Sequence, residues 1–232
     1  MSKQITTLSF YRFHSLKGKI WAFFNVPVTQ QKLRSIAGLH FYKVMGSGKS
    51  GFNPLPDWST YAILQVWDSE KAANDFFQGK GVYFDYVKNS DELMVVYMKN
   101  IKAHGEWSNQ KPFQKSSNID ADSKYMAVLT RATIKWTELI PFWKYVPQSQ
   151  DYLKRTNAIM FQFGIGEVPF KNMATFSIWN DKDALFEFAY KDSSHAKAIK
   201  LTRKRDWYSE ELFSRFQPYR IVGNWSEKPE LV

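Results

Sequence analysis

The chain's 232 residues suffice for one large domain or two ordinary ones, and its 44% hydrophobic and 17% aromatic content can build a core and wall a pocket for a flat or long apolar ligand. The absence of cysteine excludes disulfides, thiolate ligands and a cysteine nucleophile. A net charge of +10 puts nucleic acid, an anionic membrane surface and anionic ligands among the candidate partners, while the polar start Met1–Leu8 and the lack of a long apolar run point to a cytoplasmic protein without signal peptide or spanning helix.

Taken in chain order, Leu8–Phe13 alternates aromatic and small polar residues as a strand does. Ile20–Ser35 has apolar residues at helical spacing, with Pro27 expected to break or kink the helix near its middle. Leu39–Met45 reads as a strand ended by Gly46. Tyr61–Trp67 is an apolar strand, after which Asp68 and Ser69 cap a helix over Glu70–Phe77. Leu93–Ile101 is a last strand. The order β-α-β-β-α-β is that of the ferredoxin-like split βαβ unit.

That order is written twice. Leu8–Phe13 answers to Leu129–Ile134, Phe24–Pro27 to Lys144–Pro147, Phe41 to Phe161 and Gly46 to Gly166. Ile63–Asp68 answers to Thr175–Asn180, followed by Ala72 with Ala184, Phe76 with Phe188 and Lys88 with Lys200. Gly105–Trp107 closes the series against Gly223–Trp225. The order never breaks. An α+β fold of tandem duplicated ferredoxin-like units is therefore expected. Residues 1–107 form the first half, the polar stretch 108–124 a linker and 125–232 the second half, with sheets packed together and helices outside.

Gly46-Ser-Gly48-Lys-Ser-Gly51 has the glycine spacing of a dinucleotide loop, which needs a helix behind it. Pro54 and Pro56 argue against that helix, and Lys43 stands where a P-loop needs its first glycine. A sharp turn after a strand is the expectation. The four histidines, His14, His40, His104 and His195, form no HxH or HxxxH pair, so a zinc site built from them is not expected. Haem needs a single proximal histidine. His195 and Ala198 stand where the first half has Tyr83 and Tyr86, and on a helix His195, Ala198 and Ile199 share a face. Two readings stay open from the residues alone, a ligand facing a porphyrin and an ordinary surface histidine.

Several stretches together resemble the spheroidene monooxygenase family, the acyclic-carotenoid oxygenases. They include Thr7–Phe13, Gly38–Gly48, Gly51–Trp58, Leu129–Thr133, Phe142–Trp143, Val146–Pro147 and Ile165–Pro169. They continue through Thr175–Trp179, His195–Ile199 and Trp207–Phe216, so the similarity covers nearly the whole chain except the linker and the last residues. The resemblance implies a haem-dependent monooxygenase that uses O2 and an external electron donor on a long apolar polyene. It implies haem b as cofactor, His195 as the iron ligand, and kinship with dimeric α+β barrel haem proteins, among them chlorite dismutase-like enzymes and aldoxime dehydratases.

On that reading the second half's sheet walls the pocket. Leu129, Arg131 and Thr133 alternate onto one face, where Arg131 could donate to bound oxygen or a propionate, or else make a structural ion pair. Phe161, Phe163, Ile165, Phe176 and Ile178 form the apolar wall, with Ala198 and Ile199 beside His195. Peripheral membrane contact and self-association are further expectations. A dehydratase or peroxidase-like haem reaction is the runner-up. An RNA-binding ferredoxin-like module stands behind it, because the Lys/Arg-Gly-Phe strand motif of such modules is missing; no nucleic-acid partner is expected.

Overall fold

Eight antiparallel strands close into a barrel in the computed structural model, which describes residues 3–49, 55–145, 157–190 and 205–231. The first four strands are β1 (Ile5–Arg12), β2 (Leu39–Gly48), β3 (Pro56–Trp67) and β4 (Glu92–Gly105). The last four are β5 (Met126–Ile134), β6 (Ile159–Val168), β7 (Asn172–Trp179) and β8 (Tyr208–Gly223). Around the ring the order is β1-β3-β2-β6-β7-β5-β8-β4. The helices are α1 (Leu16–Leu33), α2 (Glu70–Gln78), α3 (Val82–Asn89), α4 (Leu139–Tyr145) and α5 (Lys182–Tyr190). The fold is α+β, and strands from both ends of the chain share one core.

That core follows from alternation along each strand. Leu8, Phe10, Ala62, Leu64, Met94 and Val96 from the first four strands meet Leu129, Phe161, Phe176, Ile178 and Phe216 from the last four inside the barrel. The alternate residues face out. On the first four strands Tyr11, Val44, Tyr61 and Ile63 are covered by α1 and α3 through Ala22, Leu33, Val82 and Tyr86. Residues 108–124 cross the structure rather than dangling: Phe113 packs on Phe216 at 5.0 Å, and the Asp120 and Gln114 amides donate to Gln217 and Gln4.

The two places where the first four strands meet the last four differ greatly. β4 and β8 run in register from Met94↔Gly223 to Gly105↔Leu212. β2 and β6 register at Gly46↔Gly166 and Ser47↔Ile165 alone among the described residues.

Three local expectations are corrected. Helix α1 runs unbroken through Pro27, starting from Ser15, whose hydroxyl accepts the Gly18 N–H. One missing backbone donor is outweighed by the burial of Gly18, Ala22, Thr29 and Leu33 against the sheet. Gly46 and Gly48 do not form a turn, because β2 continues through them with a bulge between Gly46 and Ser47. Helix α3 is additional to the expected pattern, following the Gly79–Gly81 break.

Candidate functional site

A cavity of about 1230 Å³ opens beside the short β2–β6 junction. Its walls are Phe23, Phe24 and Pro27 of α1, Gly46–Gly48 of β2, Trp58–Tyr61 of β3, Trp143 of α4 and Gln162–Val168 of β6, with Phe170 and Met173 closing one side. The volume exceeds that of most small-molecule sites, and most of the lining is apolar or aromatic. Polar groups in the wall are engaged: Asp57 accepts from the Ser59 amide and hydroxyl, and Glu167 pairs with Lys43 at 2.8 Å. Burial, helped by the Asp57 carboxylate, pushes the Tyr61 hydroxyl above its usual pKa, so it stays a neutral donor.

The floor on the β6 side continues as a strip of small residues across the outside of the barrel as far as Phe213. Register places Gly164 beside Thr175, Thr175 beside Thr130, and Thr130 beside Phe213. A Cβ at Gly164 would meet no atom within 4 Å, and Thr130 is exposed. The corresponding strip in the first half is Val44, Ile63, Ser9 and Val95, at most 2% exposed. That half fills the layer further with Tyr11 and Tyr86, ring centroids 4.5 Å apart, and burial pushes the Tyr86 hydroxyl up to about 12. Their sequence counterparts are Ala132 and Ala198. Val44, Ile63, Tyr11 and Tyr86 thus correspond to the smaller Gly164, Thr175, Ala132 and Ala198, while Ser9 and Val95 correspond to the larger Thr130 and Phe213.

His195, Ala198 and Ile199 lie outside the described residues. Arg131 does share a face with Leu129, and that face is the barrel interior. There Arg131, 3% exposed, pairs with Glu210 and lies 3.6 Å from Glu167, with the Trp107 ring 5.5 Å away. Phe161, Phe176 and Ile178 are barrel core, while Phe163 and Ile165 are both core and cavity wall. His14, His40 and His104 are exposed, and no group of three metal-ligating side chains occurs among the described residues. His40 contacts Asp68. Sequence reasoning missed Gly164, Thr175 and Thr130. The signal was present in the repeat, where Val44 aligns with Gly164 and Ile63 with Thr175.

No protein-family model matches the chain. It is 34% identical over 227 residues to spheroidene monooxygenase of Cereibacter sphaeroides, across 97% of this chain and 70% of that one. The Rhodobacter capsulatus spheroidene monooxygenase is 32% identical over 230 residues, across 98% and 95%. That of Rubrivivax gelatinosus is 33% identical over 189 residues, across 81% and 72%. Among solved structures an aldoxime dehydratase superposes with a TM-score of 0.64 at 7% identity, across 98% of this chain and 87% of that one. A second, crystallised with butyraldoxime, gives 0.63 at 6%, across 93% and 79%. At such identities only the barrel fold is shared. The match along 97% and 98% of the chain at about one third identity carries more: the chain belongs to the spheroidene monooxygenase family.

Proposed function

We propose that this protein is a haem-dependent monooxygenase that inserts oxygen from O2 into a carotenoid, drawing electrons from an external donor. The observation that carries the reading is the match along 97% and 98% of the chain to proteins named for oxygenating spheroidene. The cavity supports it, being large and lined mostly by aromatic and apolar side chains, as an apolar substrate requires.

The outer strip fits a flat iron porphyrin. Gly164, Thr175 and Ala132 are smaller there than their first-half counterparts Val44, Ile63 and Tyr11, and the first half carries Tyr83 where the second has His195. His195 would hold the iron through a neutral imidazole nitrogen, with Ala198 and Ile199 beside it. When bound, haem supplies the oxygen activation that no side chain here offers. The protein's own contribution is placement. Thr130 and Thr175 offer hydroxyl donors on the strip. Phe163 and Ile165 keep the adjoining cavity dry and apolar. Gly164 belongs to both surfaces, so the strip and the cavity adjoin.

We also infer that residues 1–107 and 125–232 are copies of one ferredoxin-like unit, joined by 108–124 and closed as a dimeric α+β barrel closes. Reciprocal register supports this: Gly105 opposes Leu212 as its counterpart Gly223 opposes Met94, and Gly46 opposes its own counterpart Gly166.

The test is an absorption spectrum of protein expressed with haem supply, followed by turnover of an acyclic carotenoid with labelled O2 and reductant. A Soret band lost in His195→Ala, with label in the product, is expected. A protein that takes up no haem overturns the cofactor assignment. Turnover undiminished without O2 overturns the oxygenase in favour of a dehydratase-type reaction.

A further inference from the structure

Helix α1 buries one face against the sheet and turns an apolar stripe outward. Leu16, Ile20, Phe24 and Val28 recur at helical spacing and are 74%, 50%, 68% and 42% exposed. Nothing in a monomer's own packing calls for this, and contiguous apolar surface of such size marks an interaction site.

The stripe runs into the cavity mouth. The Phe23 ring lies 5.4 Å from Phe24 and 5.0 Å from Trp58, which is 51% exposed. Across the mouth, the Trp143 indole donates to the Phe170 carbonyl at 2.8 Å, and both side chains line the same cavity. Phe170 is 43% exposed. The opening is thus ringed by aromatic groups, the side chains that favour the boundary between lipid tails and water.

On the α1 side and at Lys171 this rim is basic. Helix α1 contains no Asp or Glu, and Lys17 and Lys19 stand in its first turns. Lys171 adjoins Phe170 and lies 4.4 Å over the Trp136 ring, itself 70% exposed. These three lysines have no ion-pair partner among the described residues. Of the acids at the mouth, Asp57 accepts from Ser59 and Glu167 pairs with Lys43, while Glu227, 76% exposed, lies 4.0 Å from Arg12. The chain as a whole carries +10.

We propose that this rim, α1 with Trp58, Trp143 and Phe170, docks on an anionic lipid bilayer so that the cavity opens into the acyl layer. Apolar side chains enter the interface while the lysines meet acidic headgroups. Docking is argued from the surface alone; the corollary that a carotenoid passes from lipid to cavity without crossing water rests on the function proposed above.

Co-sedimentation of the purified full-length protein with vesicles tests this without any activity measurement. Vesicles of phosphatidylglycerol mixed with phosphatidylcholine should pull down the protein, and pure phosphatidylcholine vesicles at least tenfold less. Ile20→Glu with Phe24→Glu should abolish binding, and Lys17→Glu with Lys19→Glu should weaken it about tenfold on the acidic vesicles only. These side chains face water, and circular dichroism with a melting curve checks that each variant folds. Wild-type protein that stays in the supernatant with both vesicle types overturns the proposal, as does undiminished binding by the Ile20/Phe24 variant. Equal binding to neutral vesicles overturns the commitment to anionic lipid. Self-association lost in that same variant, with no vesicle binding, would assign the rim to a second copy of the chain instead.

Discussion

Arg131 of β5 and Glu210 of β8 form an ion pair inside the barrel, and the Asn109 amide adds a hydrogen bond to the same carboxylate at 2.8 Å. Burial works against the Glu210 charge, but the amides of Asn109 and Ser108 and the Arg131 guanidinium outweigh it and lower its pKa. Removing one member of a buried pair strands the other. Arg131→Ala is expected to lower stability by about 3 kcal/mol in urea unfolding, and Arg131→Met with Glu210→Gln to recover most of that loss. A role at bound oxygen would instead depress turnover while leaving the unfolding midpoint in place.

At the end of β1, Glu92 gathers Arg12 at 3.1 Å and the Ser226 amide at 2.8 Å, fastening the segment after β8. Burial alone would raise this carboxyl, yet the Ser226 donors and Arg12 bring it from 4.5 to about 2. A depressed folded-state pKa means that the contribution is whole above pH 4.5 and is lost as pH falls toward about 2. Glu92→Gln should therefore cost about 2 kcal/mol at pH 7 and flatten the acid limb of a stability–pH curve. An unchanged acid limb would refute the assignment.

Gly105 and Gly223 have φ of +91° and +120°, and a Cβ at either would run into the carbonyl of the facing strand, Glu211 or Leu93. Alanine at either position should cost about 3 kcal/mol. Gly46→Ala, with nothing within 4 Å of its Cβ, should cost under about 1 kcal/mol. Thermal melts of the three variants decide it.

Gly164 offers a cleaner test of the outer strip. Its Cβ position is open, so Gly164→Leu should fold with stability within about 1 kcal/mol of the parent. The added side chain would occupy the strip proposed to hold haem, and haem titration should show affinity weakened at least tenfold. Undiminished uptake would move the cofactor elsewhere.

Much of this was legible in the residues. The Ser69 cap of α2 is where side-chain chemistry puts it, its hydroxyl accepting the Ala72 amide. Alternation correctly grouped Leu129 with Arg131, and Phe161 with Phe163, on common faces. What alternation cannot say is which face looks inward when a barrel packs both. The outer-strip residues Thr130, Gly164 and Thr175 consequently escaped notice beside their bulkier neighbours. Pro27 does not break the helix because local propensity was outvoted by the helix's packing, and Gly46 misled because glycine suggests a turn where the strand in fact continues through a bulge.

The unequal fastening of the ring has a mechanical consequence. A stave held to its neighbour at Gly46↔Gly166 and Ser47↔Ile165 can part there while the long β4–β8 lap stays laced. Deuterium should accordingly enter the amides around Ser47 and Ile165 well before those of Val96 and Met98. The edge expected to part first is the one alongside the cavity.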